Sequence, residues 1–322
     1  NNKQKMENKD KGQELQELFK SRGFSSIKKS VDTSINDVRM GMLGKRKVLP
    51  TKWNRLNKNL LGGLQPGKMY VIAGRPGVGK SAFSNQLIFD LLDNNPNKKL
   101  IVLYWSFEMP GHQQILRAGS KDVKKQVLDL LSVETKLSEE EYELYKEKVE
   151  VYKKYPILFN NIPRTIDYIK DTCVDMTNSL PDRLIINVFD HSRLVAGNYN
   201  NELEKLDKLS KGCMWMQAKM GVINILLSQL NRNIEQEHRA KAQYQPLLTD
   251  LFGGDSVGQD AHVVMMLQRP YDLYGITEPY CNHDPVGLLA VHIEKNRDGL
   301  LGMLPFEADM STFTINERTK TK

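Results

Sequence analysis

The feature that most constrains this chain is the octapeptide GRPGVGKS at residues 74–81. It fits the pattern G-x-x-x-x-G-K-[ST], with the apolar run MYVIA before it and a helix-favouring segment after it. The glycines let backbone amides close around phosphate oxygens, and the following helix adds the partial positive charge of its N-terminus. The pattern therefore predicts a strand, a phosphate-binding loop and a helix. The predicted nucleotide contacts are Gly74, Arg75, Pro76, Gly77, Val78, Gly79, Lys80 and Ser81.

Two side chains of this loop and one distant carboxylate have predicted roles in phosphate chemistry. Lys80 is expected to reach the β- and γ-phosphates of ATP, and the Ser81 hydroxyl to ligate Mg²⁺. Asp190 closes the apolar run LIINVFD, where a second metal-side group is expected. Asn187 interrupts that run, and an ordinary aspartate at a strand end remains the alternative for Asp190.

Polar residues also end two further apolar runs. Glu108 follows LIVLYWS, and a carboxylate there is well placed to accept a proton from the water that attacks ATP. Gln229 ends INILLSQ, where an amide can sense the γ-phosphate. From the chemistry alone, a surface glutamate is an equally good interpretation of Glu108, and the signal at Gln229 is weak.

Apolar runs alternate with helical patterns over most of the chain. The predicted helices cover residues 82–93, 113–155 and 201–220, and the predicted strands cover 69–73, 100–106, 157–160, 184–189, 222–228, 263–268 and 289–294. This alternation predicts an α/β fold, with a mostly parallel central sheet flanked by helices on both faces.

Composition excludes several classes of protein. The 322 residues are 40% hydrophobic and 26% charged, and no apolar run approaches the roughly 18 to 20 residues that span a bilayer. The three cysteines lie far apart, which argues against a disulfide framework or a zinc site and favours a reducing, cytoplasmic location.

Charge divides the chain into two parts. Residues 1–60 contain 15 Lys and Arg against 6 Asp and Glu, whereas the remainder is slightly acidic. We predict a basic N-terminal tail, a linker helix at 12–22 and a flexible linker over 23–50, followed by one domain over 51–322. The basic excess fits either a solvated tail or contact with nucleic acid or an acidic partner.

From about residue 51 to 313 the chain resembles the C-terminal motor domain of the DnaB-type replicative DNA helicases. The resemblance rests on LNKNLLGGLQPGKMYVIAGRPGVGKS, SFEMP, the strand ending at Asp190, LSQLNRNIEQ, the TDL…GQDA segment at 249–261 and KNRDG at 295–299. It implies a RecA-like ATPase that forms a hexameric ring, moves along single-stranded DNA and unwinds duplex.

The resemblance also implies roles for individual residues. Glu108 becomes the catalytic glutamate and Gln229 the γ-phosphate sensor. Lys295 and Arg297 match a basic pair that one subunit supplies to its neighbour's ATP, and residues 249–258 match a loop that holds DNA in the central channel.

The chain departs from the family in that loop. Arg-Glu-Ser-Gly is usual after Asp-Leu, whereas this sequence has Phe252, Gly253, Gly254 and Asp255. The predicted DNA contacts are therefore stacking by Phe252 and backbone amides at Gly253 and Gly254. The family's helical N-terminal domain is not in this sequence, which fits a fragment or a reduced, phage-encoded form.

The implied partners are single-stranded DNA, five further copies of the chain, and a helicase loader or primase. Two alternatives remain at this stage. One is a ring ATPase of the recombinase or clock type, and the other is a ring scaffold that has lost movement on DNA.

Overall fold

The computed structural model describes residues 21–191 and 195–318, except for the side chains of residues 254 and 255. These residues belong to two compact units that divide between Lys47 and Val48. None of the described helices is long and apolar enough to cross a membrane.

The larger unit is built of alternating helices and strands. Its helices are α2 (Asn54–Asn59), α3 (Lys80–Asn94), α4 (Gly111–Val123), α5 (Val127–Leu131), α6 (Glu139–Glu150), α7 (Ile166–Ser179), α8 (Glu202–Met220), α9 (Gly254–Asp260) and α10 (Pro270–Tyr274). Its strands are β1 (Met69–Gly74), β2 (Leu100–Ser106), β3 (Ile157–Asn160), β4 (Leu184–Asp190), β5 (Ile223–Gln229), β6 (Val263–Gln268), β7 (Leu288–Asn296), β8 (Gly302–Asp309) and β9 (Thr314–Glu317). Short 3₁₀ helices lie at Val151–Lys154, Arg232–Glu235, Glu237–Ala242 and Leu248–Asp250.

The strands form one sheet in the order β3-β2-β4-β5-β1-β6-β7-β8-β9. The first six strands in this order are parallel, and β7, β8 and β9 continue the sheet antiparallel. The predicted mostly parallel α/β sheet is confirmed. Sequence analysis did not predict the helices α2, α7, α9 and α10 or the strands β8 and β9.

Hydrophobic cores lie on both faces of the sheet because its central strands are buried on both sides. In β1, Tyr70 and Ile72 face one core, whereas Met69, Val71 and Ala73 face the other. Because the six parallel strands run in the same direction, their carboxyl ends meet at one edge of the sheet, where the connecting loops carry the predicted site.

The smaller unit has a helix where sequence analysis predicted a flexible linker. Helix α1 (Ile27–Met42) begins at Ser26, whose hydroxyl accepts a hydrogen bond from the Lys29 amide. Two glycines of the predicted linker lie at the end of this helix: Gly41 is in the last turn, and Gly44 adopts a left-handed φ of 64° beyond it. The linker prediction is therefore wrong for α1, and most of the predicted helix at 12–22 lies outside the described residues.

Candidate active site

The phosphate-binding loop connects β1 to α3, as the motif predicts. Gly77 and Gly79 have φ values of 79° and 104°, which residues with a side chain rarely adopt. A Cβ on Gly79 would also lie 2.5 Å from the Cε of Met310, which packs against the loop from the β8–β9 hairpin. The backbone path therefore requires glycine at position 79, and a larger residue would also displace the flexible Met310 side chain.

The Lys80 ammonium lies inside this loop. Its Nζ donates hydrogen bonds to the carbonyl oxygens of Gly74 and Arg75, at 3.0 and 3.2 Å. Burial lowers the pKa of Lys80 to about 8, although the charges of Asp190 and Glu108 act in the opposite direction. A poorly solvated cation held by carbonyl dipoles is well prepared to exchange them for phosphate oxygens.

Ser81 and Asp190 meet beside this lysine. The Ser81 hydroxyl donates a 3.2 Å hydrogen bond to Asp190 Oδ1 at the end of β4. The pKa of Asp190 is raised, mainly because its carboxyl group is buried. The hydrogen bond from the Ser81 hydroxyl lowers this pKa, whereas the negative charge of Glu108 raises it. A hydroxyl beside a buried carboxylate fits Mg²⁺, which takes few protein ligands and fills its shell with water and phosphate oxygens.

A cavity of about 310 Å³ brings two of the four predicted catalytic residues together with the phosphate-loop lysine and the predicted metal ligands. Lys80, Ser81, Glu108, Asp190 and Gln229 all line it, although they come from four separate loops at the carboxyl edge of the sheet. The phosphate loop supplies the first two, and the ends of β2, β4 and β5 supply the others. The geometry therefore places the carboxylates of Glu108 and Asp190 and the amide of Gln229 around the predicted phosphate site.

Five further residues that were not predicted from the sequence line the same cavity: Ala82, Arg117, His191, Met310 and Phe313. The Arg117 guanidinium lies 4.8 Å from the centre of the Phe313 ring. A flat cation and a ring beside a phosphate loop form a suitable wall for a nucleotide base or ribose. No local motif marks Phe313, because it reaches the site only through the hairpin of two unpredicted strands.

Arg75 does not line the cavity that contains Lys80 and Ser81. Its Nε donates to Glu235 Oε1 at 2.6 Å, and its Nη1 donates to the Leu230 carbonyl at 2.9 Å. The predicted loop residue Arg75 thus connects the phosphate loop to the segment that follows β5.

Lys295 and Arg297 lie on β7 and just after it, and they do not line the cavity. The Lys295 ammonium donates to the carbonyls of Gly258 and Gln259 at 2.8 and 2.7 Å. The Arg297 Nη2 donates to the Gln259 carbonyl at 2.7 Å. The structure therefore does not bring this pair to the phosphate loop of its own chain.

The predicted DNA contacts lie between β5, which ends at Gln229, and that pair. The Phe252 amide donates to the Gln229 carbonyl at 2.9 Å, and the half-buried Phe252 ring packs against the core. Gly253 caps the N-terminus of α9, and Gly254 is the first residue of that helix. Stacking of Phe252 on a base, predicted from the sequence, would have to use the exposed part of a ring that already has protein contacts.

Residues 48–315 match the family model described as the DnaB-like helicase C-terminal domain. The chain belongs to this family. The resemblance noted in the sequence is thereby confirmed, and it covers the larger unit up to β9.

Known proteins support this assignment. The replicative DNA helicase DnaB of Mycoplasma pneumoniae is 26% identical over 268 residues, which cover 80% of this chain and 55% of that protein. A solved structure of an isolated ATPase domain matches with a TM-score of 0.78 at 20% identity, covering 92% of this chain and all of the other. A second structure, of a DnaB-like replicative helicase with its primase interactions, matches with a TM-score of 0.76 at 20% identity, covering 94% of this chain and 70% of the other. The chain spans about half the length of the first curated relatives that it matches.

In this DnaB-like domain we predict that Gly253→Ala lowers stability by about 1–3 kcal/mol. Gly253 has a φ of 71°, and a Cβ there would lie 2.7 Å from Cδ1 of the buried Leu206. Both effects strain the start of α9. Chemical denaturation of the variant measures the loss.

Gly275→Ala is a matched control for this prediction. Gly275 has a similar φ of 62°, but a Cβ added there would have no described atom within 4 Å. Gly275→Ala should lower the free energy of unfolding by less than Gly253→Ala, because it introduces only the backbone strain. Equal losses in the two variants would show that packing against Leu206 contributes nothing.

Proposed function

We propose that this domain is the motor of an ATP-driven DNA helicase, which hydrolyses ATP, moves along single-stranded DNA and separates duplex. The observation that carries the proposal is the cavity at the carboxyl edge of the sheet. It gathers a phosphate-loop lysine, a hydroxyl–carboxylate pair, a further carboxylate and an amide. These are the groups that ATP hydrolysis requires, and family membership supports the same activity.

Each group has a distinct part in hydrolysis. Lys80 neutralises charge on the β- and γ-phosphates. Ser81 and Asp190 would hold Mg²⁺, which would offset part of the remaining phosphate charge. Glu108 accepts a proton from the water whose oxygen attacks the γ-phosphorus, as the bond to ADP breaks. Gln229 donates its amide to the γ-phosphate and so distinguishes ATP from ADP.

We assign the base and ribose of the nucleotide to the wall of the cavity formed by Phe313 and Met310. Arg117 lies against the Phe313 ring and also interacts with the charges of Asp190 and Glu108, so its cation can act on both parts of the cavity. Contacts of this kind tolerate different bases, because every base has a π face.

A ring of six copies is part of the proposal. Helix α1 carries the apolar stripe Ile27, Val31, Ile35, Val38 and Met42, which recurs every three or four residues. These side chains are 47–81% exposed, as expected for a helix that packs on a second copy. Lys295 and Arg297 do not line the nucleotide cavity of their own chain, which suits action on the ATP of a neighbouring copy.

DNA and protein partners follow from the same assignment. We propose that residues 249–258 face single-stranded DNA in the channel of the ring, with backbone amides replacing the family's arginine. A primase is the proposed protein partner, because a structural neighbour is described with its primase interactions. A helicase loader and a cytoplasmic location remain predictions from the sequence.

Unwinding of a forked DNA duplex tests the proposed function. We expect ATP-dependent strand separation that requires one of the two single-stranded tails, with ATP turnover stimulated by single-stranded DNA. Forks that lack each tail in turn give the polarity of movement. Lys80→Ala, which removes the cation that faces the phosphates, should abolish both activities.

The same assay separates the alternatives. ATP turnover that DNA does not change, without strand separation, would favour a ring scaffold. Exchange of strands between homologous DNA molecules, without unwinding of the fork, would favour a recombinase. Either result would contradict the helicase proposal.

A further inference from the structure

Gln114 of α4 is a fully buried glutamine that does not itself line the nucleotide cavity. Its Nε2 donates a 3.1 Å hydrogen bond to the Ser106 hydroxyl, at the end of β2. The same side chain hydrogen-bonds the Asp190 carboxylate, at the end of β4. One buried amide therefore contacts the ends of two neighbouring strands whose loops supply groups to the cavity.

Asn85 on α3 fixes the direction in which the Gln114 amide faces. Its Nδ2 donates to Gln114 Oε1 at 2.9 Å and to the Gln114 backbone carbonyl at 3.2 Å. Because the Gln114 oxygen is engaged in this way, its two N–H groups face Ser106 and Asp190. All four residues are buried, so water does not readily replace a partner that is lost from this network.

The contact with Asp190 acts on the proposed metal side of the site. Burial raises the pKa of Asp190, whereas the hydrogen bonds from the Ser81 hydroxyl and the Gln114 amide lower it. Carboxylates that ligate a metal ion are themselves held by hydrogen bonds, which fix their orientation and strengthen binding of the metal. Gln114 supplies a hydrogen bond of this kind to Asp190 from outside the cavity.

The contact with Ser106 acts on the turn that carries Glu108. The Ser106 hydroxyl donates to the Met109 carbonyl and so closes the turn around Glu108. The Gln114 N–H occupies a lone pair of the same hydroxyl oxygen, which leaves the hydroxyl proton directed at Met109. Without the Gln114 amide, the hydroxyl can rotate and the turn loses this constraint.

We propose that Gln114 is a positioning residue for ATP hydrolysis, which holds the Asp190 carboxylate and the turn of Glu108 in one hydrogen-bonded frame. It acts through these two groups rather than on the nucleotide. The inference rests on the proposed function, because ATP and Mg²⁺ belong to that proposal. It also separates two parts of nucleotide binding, since the hydrogen bonds of Lys80 lie within the phosphate loop and do not involve Gln114.

Titration of the full chain with a fluorescent, non-hydrolysable ATP analogue, with and without Mg²⁺, tests the contact with Asp190. Gln114→Met keeps the length of the side chain but removes both donors. We expect the gain in affinity that Mg²⁺ provides to fall by about 10- to 100-fold, the usual effect of removing a hydrogen-bond partner of a metal ligand. Affinity without Mg²⁺ should stay near that of the wild type, because Lys80 still faces the phosphates. A merely structural role would lower both affinities together.

Gln86→Met is the matched control for this variant. Gln86 on α3 is also buried, and its Nε2 donates to Asp90 Oδ2 at 3.1 Å and to the Ile315 carbonyl at 2.7 Å. Neither Gln86 nor Asp90 lines the nucleotide cavity. The control therefore removes the same kind of buried contact between an amide and a carboxylate. It should lower the free energy of unfolding, measured by chemical denaturation, but leave the effect of Mg²⁺ on affinity unchanged.

Ser106→Ala tests the contact with the turn of Glu108. It removes the hydroxyl that links Gln114 to Met109, and it leaves the Gln114 amide beside Asp190. We expect ATP turnover to fall by about two- to tenfold, the range for one hydrogen bond. The effect of Mg²⁺ on nucleotide affinity should remain that of the wild type.

The outcomes that would overturn the proposal are distinct from failure of the proposed function. An unchanged effect of Mg²⁺ in Gln114→Met, an equal loss of affinity with and without Mg²⁺, or a wild type whose affinity ignores Mg²⁺ would overturn the role of Gln114 at Asp190. Turnover at the wild-type rate in Ser106→Ala would overturn its role at the turn of Glu108. Absence of turnover and unwinding in the wild type would instead refute the helicase motor, and the titration requires neither activity.

Discussion

Glu108→Gln is expected to lower the rate of ATP hydrolysis by about 10²–10⁴, the usual contribution of a general base. The amide keeps the shape of the side chain but cannot take a proton from the attacking water. Nucleotide affinity should remain, because the negative charge of Glu108 already opposes that of Asp190 and would repel phosphate rather than attract it. Steady-state turnover and titration with a fluorescent nucleotide measure the two quantities separately.

Glu147→Gln provides the control for this variant. Glu147 is an exposed residue of α6 whose ion pair with Lys148 lies on the surface. Its removal should change neither turnover nor binding, because exposed ion pairs contribute little. Parallel loss of affinity and turnover in Glu108→Gln would instead show that the carboxylate organises the nucleotide site and is not the base.

The sequence was sufficient to predict which residues converge at the candidate catalytic centre, because local patterns mark each part of it. The phosphate loop has a fixed motif, and Glu108, Asp190 and Gln229 each lie at the end of a buried strand. In a parallel sheet the strand ends meet at one edge, so predicting the strands also predicts that these residues converge. Family resemblance was needed to choose between a surface glutamate and a catalytic one at Glu108, and to assign a role to Gln229.

The wall of the cavity formed by Met310 and Phe313 was not predictable in this way. Phe313 and Met310 belong to the hairpin of β8 and β9, where Pro305 interrupts an already irregular apolar pattern. Their place in the cavity, where Met310 packs against Gly79, depends on how strands β8 and β9 pair with the rest of the sheet. Tertiary pairing of this kind leaves no periodic signal in the sequence.

Asn187 is a polar residue that interrupts the apolar pattern of β4, and the structure gives a reason for it. Its amide donates to Asn224 Oδ1 at 3.0 Å and accepts from the Trp105 indole at 3.2 Å. Asn224 in turn donates to the Cys213 carbonyl of α8 at 3.0 Å. The polar interruption of β4 is a hydrogen-bonded contact between three strands and a helix, and a buried amide satisfied in this way does not argue against a strand.

Arg297→Ala is expected to reduce ATP turnover by about 10³–10⁵, the range for a guanidinium that acts on a transferred phosphoryl group. The side chain is exposed and absent from its own cavity, so the loss should arise at the site of a neighbouring copy. Lys80→Ala should be inactive for a different reason, because that chain cannot hold its own phosphates. The two variants therefore damage opposite sides of the same subunit boundary.

Mixing the two inactive variants distinguishes this arrangement from action within one chain. In a ring with head-to-tail contacts, random assembly of equal amounts pairs an intact phosphate loop with an intact Arg297 at about a quarter of the boundaries. Turnover should recover towards that fraction of wild type if each boundary acts independently. The matched control mixes Arg297→Ala with the double variant Lys80→Ala/Arg297→Ala, in which no boundary has an Arg297. Recovery in both mixtures, or in neither although native mass spectrometry detects mixed rings, would rule out a site shared between subunits, because only a shared site makes recovery depend on which chain supplies the arginine.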